Sequence, residues 1–151
     1  MRILCVCLGN ICRSPMAEGA VRAMAHKAGL TVAVDSAGTG AWHLGDPPDP
    51  RGLKVAAARG YDNGAQRARQ VTAEDFRLFD LIVAMDRRNL ADLEGLKPTG
   101  SMAEIRLFHP HGVEIPDPYH QDVAAYEHAL DLVEEASRAL IEQLAASPRP
   151  T

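Results

Sequence analysis

The chain is poor in aromatic residues: one Trp, three Tyr and three Phe make up 5% of its 151 residues. A core with so few rings must be packed by aliphatic side chains, and any ring in a loop becomes a candidate contact surface. Cysteine is also scarce, and all three lie within the first twelve residues, at Cys5, Cys7 and Cys12. That clustering excludes a disulfide framework for a secreted fold and fits a reducing compartment. No apolar run approaches the ~18 residues of a membrane span, and no secretory leader is read, so a cytoplasmic protein without membrane insertion is expected. Basic residues are not in excess. Sixteen Lys and Arg against twenty Asp and Glu leave a net charge of −4, which argues against a nucleic-acid partner. The pair His109-Pro110-His111 reads as surface loop, because a zinc site needs further ligands at matching spacing. No metal and no cofactor are therefore expected. A nucleotide-binding G-x-x-x-x-G-K-[ST] is absent, and Gly38-Thr39-Gly40 lacks the third glycine of a dinucleotide fingerprint.

What is present is an ordinary globular balance, 46% hydrophobic and 24% charged, in a length that suits one domain. The expected domain covers 1–146, followed by a flexible tail, Ser147-Pro148-Arg149-Pro150-Thr151, with no apolar residue to dock. Short apolar runs at Ile3-Leu4-Cys5-Val6, Thr31-Val32-Ala33-Val34, Leu81-Ile82-Val83-Ala84 and Ile105-Arg106-Leu107-Phe108 read as strands. Between them lie helical signals. Ala17, Ala20, Val21, Met24 and Ala28 share one helical face, Asp49-Pro50 pairs an N-cap with Pro at the first helical position, and Thr72 and Asp86 can cap short helices. Val123, Tyr126, Leu130, Val133, Leu140 and Leu144 form the stripe of a last helix. This alternation predicts an α/β fold: a single-domain open, mostly parallel four-stranded sheet with helices on both faces and a phosphate-binding loop after the first strand.

That loop is Cys7-Leu8-Gly9-Asn10-Ile11-Cys12-Arg13, with Ser14 and Pro15 following. A strand before it and a helix after it let the backbone N–H groups of residues 8–13 curl around one centre, which makes an anion cradle. Gly9 keeps a side chain out of the approach, and Asn10 tolerates a left-handed conformation. Arg13 can grip two phosphate oxygens at once. The same positive field favours the charged thiolate of Cys7. Cys12 lies across the loop, so oxidation of Cys7 to a sulfenic acid and its capture by Cys12 is a further expectation, against packing as the plainer role of Cys12.

These residues resemble the low-molecular-weight protein tyrosine phosphatases, whose loop reads C-x-G-N-x-C-R-S-P, matched at every position from Cys7 to Pro15. Asp35-Ser36-Ala37-Gly38, Gly45-Asp46-Pro47-Pro48-Asp49, Ala68-Arg69-Gln70, Met85-Asp86 and Asp117-Pro118-Tyr119 are similar too, so the resemblance runs from residue 2 to about 145. One departure is Gln66, where many members carry a His that supports the phosphate loop. The resemblance implies supporting roles for Ser36, through Asn10, and for Asp86; strand-end capping is the alternative for both. It also implies that Ser14 donates to the Cys7 sulfur, in competition with a helix-cap role.

Expelling an oxygen leaving group from phosphorus calls for a general acid. Three Asp-Pro pairs compete. Asp49 reads as a helix cap and Asp46 as part of a turn, whereas Asp117 sits in a stiff loop between Pro116 and Pro118, beside Tyr119. The resemblance gives the acid role to Asp117 and makes Trp42 and Tyr119 walls for an aromatic ring, with Ile11 at the loop. The expected activity is hydrolysis of phosphotyrosine in protein or peptide substrates through a phosphocysteine on Cys7, with Arg13 as clamp, Asp117 as acid and base, and phosphate as product. A protein-arginine phosphatase is the nearest rival, although those relatives carry Thr where this chain has Ile11. A non-catalytic phosphate-binding module would need neither Cys7 nor Asp117. Arsenate reduction would need cysteines beyond Cys12, and there are none.

Overall fold

A computed structural model describes residues 1–146; the expected tail, 147–151, lies outside the described residues. In chain order the elements are β1 (Arg2–Cys7), α1 (Arg13–Lys27), β2 (Ala33–Gly38), α2 (Pro50–Ala58), α3 (Asp75–Leu78), β3 (Leu81–Ala84), α4 (Arg87–Leu96), β4 (Glu104–Leu107) and α5 (Val123–Ala146). The four strands pair in the order β2-β1-β3-β4, every pair parallel. The chain leaves β1 toward one side for β2 and toward the other for β3, so strand order reverses at β1. Ligand sites of open parallel sheets lie at the carboxyl ends of the strands beside such a reversal, which here is Cys7.

Alternation along β1 explains how one short strand serves two layers. Ile3 and Cys5 belong to the core shared with α1 and α5, whereas Leu4 and Val6 face the cluster of Phe76, Phe79 and Leu93 from α3, α4 and their flanks. Residues 3–6 are all fully buried. Each large aliphatic side chain so buried stabilises the fold by about 1.5–3 kcal/mol before entropy is counted. α5 supplies the other half of the larger core through Tyr126, Ala129, Leu130, Val133, Leu140 and Ile141. Among the described residues no helix is long and apolar enough to cross a membrane.

Several expected boundaries shift. α1 begins at Arg13, and Cys12 is its N-cap without any side-chain cap bond, so Ser14 lies inside the helix and does not cap it. Ala28 is exposed just past the helix, and Ala25 fills the buried face instead. β2 occupies residues 33–38 rather than 31–34. Its polar Asp35 and Ser36 disguise it as a loop, yet both find partners: Asp35 pairs with Arg69, and the Ser36 hydroxyl donates to Glu18 at 2.7 Å. Strand β4 starts and ends one residue early. Thr72 does not cap α3; the Asp75 carboxylate accepts the Thr72 N–H at 2.8 Å, forming a turn, and the helix follows. Val123 at the head of α5 is exposed rather than part of the buried stripe. His109, expected on the surface, is only 9% exposed. By contrast Asp49 and Asp86 cap α2 and α4 as expected, accepting the N–H groups of Arg51 and Asn89.

Candidate active site

The loop after β1 is held from outside by its carbonyl groups. Thr39 N–H donates to Cys7 O and Gly40 N–H to Leu8 O, each at 2.9 Å, and Asp49 N–H donates to Ile11 O at 2.8 Å. Contact with the loop is so close at Gly38 that a Cβ there would stand 2.7 Å from Leu8 O, which is why that position is glycine. With the carbonyls turned to these neighbours, the N–H side of the loop is left for the centre. Asn10 N–H points to Cys7 Sγ at 3.2 Å, and Asn10 adopts the left-handed conformation, with φ of 57°.

The Asn10 side chain organises the layer beneath. Its Nδ2 donates to Ser14 Oγ at 2.8 Å and to Ser36 Oγ at 3.0 Å, while its Oδ1 accepts the Arg69 N–H at 3.0 Å. Three elements, α1, β2 and the segment before α3, therefore lock one loop residue. Ser14 Oγ lies 2.9 Å from Cys7 Sγ. A thiolate can only accept, so in that state the Ser14 hydroxyl is the donor. The chain continues outward from Ser36 to Glu18 and from Glu18 to Arg22 at 2.6 Å. Gln66 reaches the same region by donating from Nε2 to Pro15 O at 3.2 Å, which is how the amide meets the base of the loop.

Arg13 is almost fully buried. Its Nη1 donates to Asp86 Oδ2 at 2.6 Å and to Ile115 O at 3.0 Å. Both Nη1 hydrogens are thus committed to the scaffold, which leaves Nη2 and Nε as the pair for an oxyanion. Burial works against the charge, but Cys7, Asp86 and Asp117 raise the guanidinium above its ordinary value. Asp86 does double duty, capping α4 through Oδ1 and anchoring Arg13 through Oδ2. Arg13 Nη2 lies 3.8 Å from Asp117 Oδ2, whose side chain is 44% exposed at the mouth. The Asp117 loop is braced by Tyr119 N–H on Asp117 Oδ1, by Gln121 Nε2 on Asp117 O, and by Arg51 Nη1 on Gln121 O at 2.6 Å.

Cys7, Leu8, Gly9, Ile11, Cys12, Arg13, Trp42, Asp117 and Tyr119 line one cavity of about 260 Å³. Asn10, Ser14, Ser36 and Asp86 stand directly behind it, so every site residue expected from the sequence is gathered at one place. His43 joins the wall without having been anticipated: its ring meets Tyr119 edge-on at 5.7 Å and leaves only 3.2 Å for a Cβ at Gly9. Glu18, Arg69 and Tyr126 also contact the loop or its supports, roles that neither the family-like stretch holding Arg69 nor the helical stripe holding Tyr126 reveals. The Tyr126 hydroxyl lies 3.3 Å from Cys12 Sγ. Burial pushes the Cys12 thiol up to about 12, partly offset by that hydrogen bond. Cys5, inside β1, is raised further by burial and by the nearby Glu18 and Asp35 carboxylates.

An open parallel sheet with a thiol at its reversal point, ringed by N–H groups and a buried guanidinium, defines a cysteine-based phosphate-loop protein. Comparison with known proteins narrows the class. The family model described as low molecular weight phosphotyrosine protein phosphatase matches residues 2–149. The low molecular weight phosphotyrosine protein phosphatase of Schizosaccharomyces pombe is 46% identical over 128 residues, 80% of this chain and 81% of that protein. Among solved structures, a protein tyrosine phosphatase from Entamoeba histolytica superposes with TM-score 0.91 at 36% identity, covering 96% of this chain and 97% of its own. The Drosophila arginine phosphatase DARP superposes with TM-score 0.92 at 32% identity, covering 98% and 100%. The chain belongs to the low molecular weight phosphotyrosine protein phosphatase family.

Proposed function

We propose that this enzyme hydrolyses phosphotyrosine in proteins in two steps, with Cys7 as nucleophile. The observation that carries the reading is the meeting of Cys7 Sγ, the Ser14 hydroxyl, Arg13 and Asp117 at one aromatic-walled cavity. Cys7 attacks phosphorus in line, while the loop N–H groups and the free edge of Arg13 hold the equatorial oxygens. Asp117 protonates the departing tyrosyl oxygen. The sulfur–phosphorus bond forms as the phosphorus–oxygen bond breaks. Asp117, now a carboxylate, takes a proton from water, which attacks the phosphocysteine and releases phosphate. Ser14, donating to sulfur, makes Cys7 a better leaving group in this second step. Three free thiols suit a reducing compartment, and we place the enzyme in the cytoplasm.

Trp42, His43 and Tyr119 at the mouth, with Leu8 and Ile11 further in, favour a flat apolar ring over the extended polar guanidinium of phosphoarginine. The likeness to the Drosophila arginine phosphatase keeps that rival in view, but Ile11, 8% exposed and lining the cavity, offers no hydrogen bond to a guanidinium. Measured on matched peptides, kcat/KM is expected to rank phosphotyrosine above phosphoarginine and phosphoserine. A preference for either of the latter overturns the substrate assignment and leaves Cys7 untouched. Stacking on an aromatic wall is worth roughly 0.5–1.5 kcal/mol beyond buried area, so Trp42→Ala should lower kcat/KM several-fold for phosphotyrosine without abolishing turnover.

Redox control follows from the same loop. Peroxide oxidises the Cys7 thiolate to a sulfenic acid; the Cys12 sulfur attacks it, forming a Cys7–Cys12 disulfide and releasing water. Because burial raises the Cys12 thiol well above its ordinary value, this capture should speed up as pH rises, since only the thiolate attacks. Mass spectrometry of peroxide-treated enzyme is expected to find the Cys7–Cys12 link, with activity restored by dithiothreitol. Equal recovery in Cys12→Ser rejects the switch.

A further inference from the structure

Beside the cavity that contains Cys7 runs a second groove of about 440 Å³. Leu8, Gly40 and Trp42 form one side, and Arg88, Gly95 and Leu96 of α4 lie on the other. Leu8 and Trp42 line both hollows, so Trp42 is a partition between two adjoining sites rather than the outer edge of one. Its ring rests on Gly40, where any Cβ would collide with the indole. The partition therefore stands at a set place, yet it is 72% exposed, and Leu96 across the groove is 50% exposed. Trp42 and Leu96 thus leave apolar surface open on both sides of a groove that adjoins the candidate substrate cavity.

Resting on the phosphotyrosine reading above, the geometry points to this groove as the seat of an apolar side chain within two residues of the phosphotyrosine. A ring bound between Trp42 and Tyr119 leaves the substrate backbone at the mouth. Extended chain advances about 3.3 Å per residue, so a neighbour one or two positions away falls on the far side of Trp42. The chemistry of the groove selects what that neighbour carries. Leu8, Gly40, Ala91 and Leu96 offer carbon surface, the Thr39 hydroxyl oxygen is itself buried, and Arg88 and Asp92, one turn apart on α4, carry opposite charges. Their charges offset each other for an incoming ion, which leaves apolar contact as the discriminating term.

Gly95 supplies the means of testing this. It lines the groove within α4, a Cβ there would meet nothing within 4 Å, and its φ is not in the left-handed region. Replacing glycine inside a helix also favours the helix. Gly95→Phe therefore projects a ring from the groove's helix side with no clash at its Cβ, and Leu96→Ala, at an exposed position, shortens the wall. Wild type and both variants are assayed with p-nitrophenyl phosphate and with phosphotyrosine peptides carrying Leu or Ala at each position from −2 to +2. Wild type is expected to favour Leu at one or two of these positions by about threefold to tenfold in kcat/KM. Gly95→Phe should erase that preference and Leu96→Ala should reduce it, with turnover of p-nitrophenyl phosphate unchanged. No Leu preference in wild type, its persistence in Gly95→Phe, or an equal fall on p-nitrophenyl phosphate overturns the groove as a subsite. Each of those results leaves phosphotyrosine turnover in wild type intact, whereas failure of the phosphotyrosine reading removes turnover of every peptide in the series.

Discussion

Cys7→Ser is expected to reduce turnover of phosphotyrosine to the assay background, whereas Cys5→Ser keeps kcat per folded molecule. The two thiols lie two residues apart on one strand and share a face, so the contrast isolates chemistry from location. A hydroxyl at position 7 must be deprotonated to attack, and the groups hydrogen-bonded to Cys7 Sγ are the Ser14 hydroxyl and the Asn10 N–H. Both stabilise negative charge and neither accepts a proton, so the loop that serves a thiolate leaves an alcohol inert. Cys5 is buried in the core with its thiol raised by burial. A hydroxyl there costs about 1–3 kcal/mol of stability, which thermal melting will register while kcat does not. Comparable loss of kcat in both variants rejects Cys7 as nucleophile.

Asp117→Ala is expected to lower kcat by about 10²–10⁴, the range a general acid contributes. The loss should be larger for phenyl phosphate than for p-nitrophenyl phosphate, because a poor leaving oxygen depends more on protonation. Phosphate should still bind. The cradle of loop N–H groups and Arg13 is anchored to Asp86 and Ile115, independently of Asp117, so the inhibition constant for phosphate should stay within a fewfold of wild type. Removing a carboxylate 3.8 Å from Arg13 even leaves the guanidinium freer for the anion. Full kcat on phenyl phosphate in Asp117→Ala would show that another group is the acid.

How much of this was legible depends on the range over which each feature is encoded. The loop motif from Cys7 to Pro15 is nine contiguous residues between a strand and a helix, so its local shape reads directly from spacing. Asp49 and Asp86 were readable as caps because a cap answers to N–H groups two or three residues away. Ser14 misled for the same reason: its local propensity is to cap, but a sulfur at 2.9 Å and an amide at 2.8 Å take its hydroxyl instead. Ser36 and Asp35 hid β2, since polar residues inside a strand are tolerated only when distant partners satisfy them. Those partners, Glu18 and Arg69, carry no local sign of the task.

The sequence by itself determined the Cys7-to-Arg13 loop between a strand and a helix, the layered parallel sheet and the Pro-flanked position of Asp117, because each rests on short-range backbone preferences or on hydrophobic period. Only the tertiary structure decided that His43 closes the cavity, that Tyr126 holds Cys12, and that Trp42 divides two hollows instead of edging one. Each of those facts joins residues from elements far apart in the chain. The parallel crossovers that bring α4, α5 and the loop after β2 to the carboxyl edge of β1 set these distances, and no local preference records them.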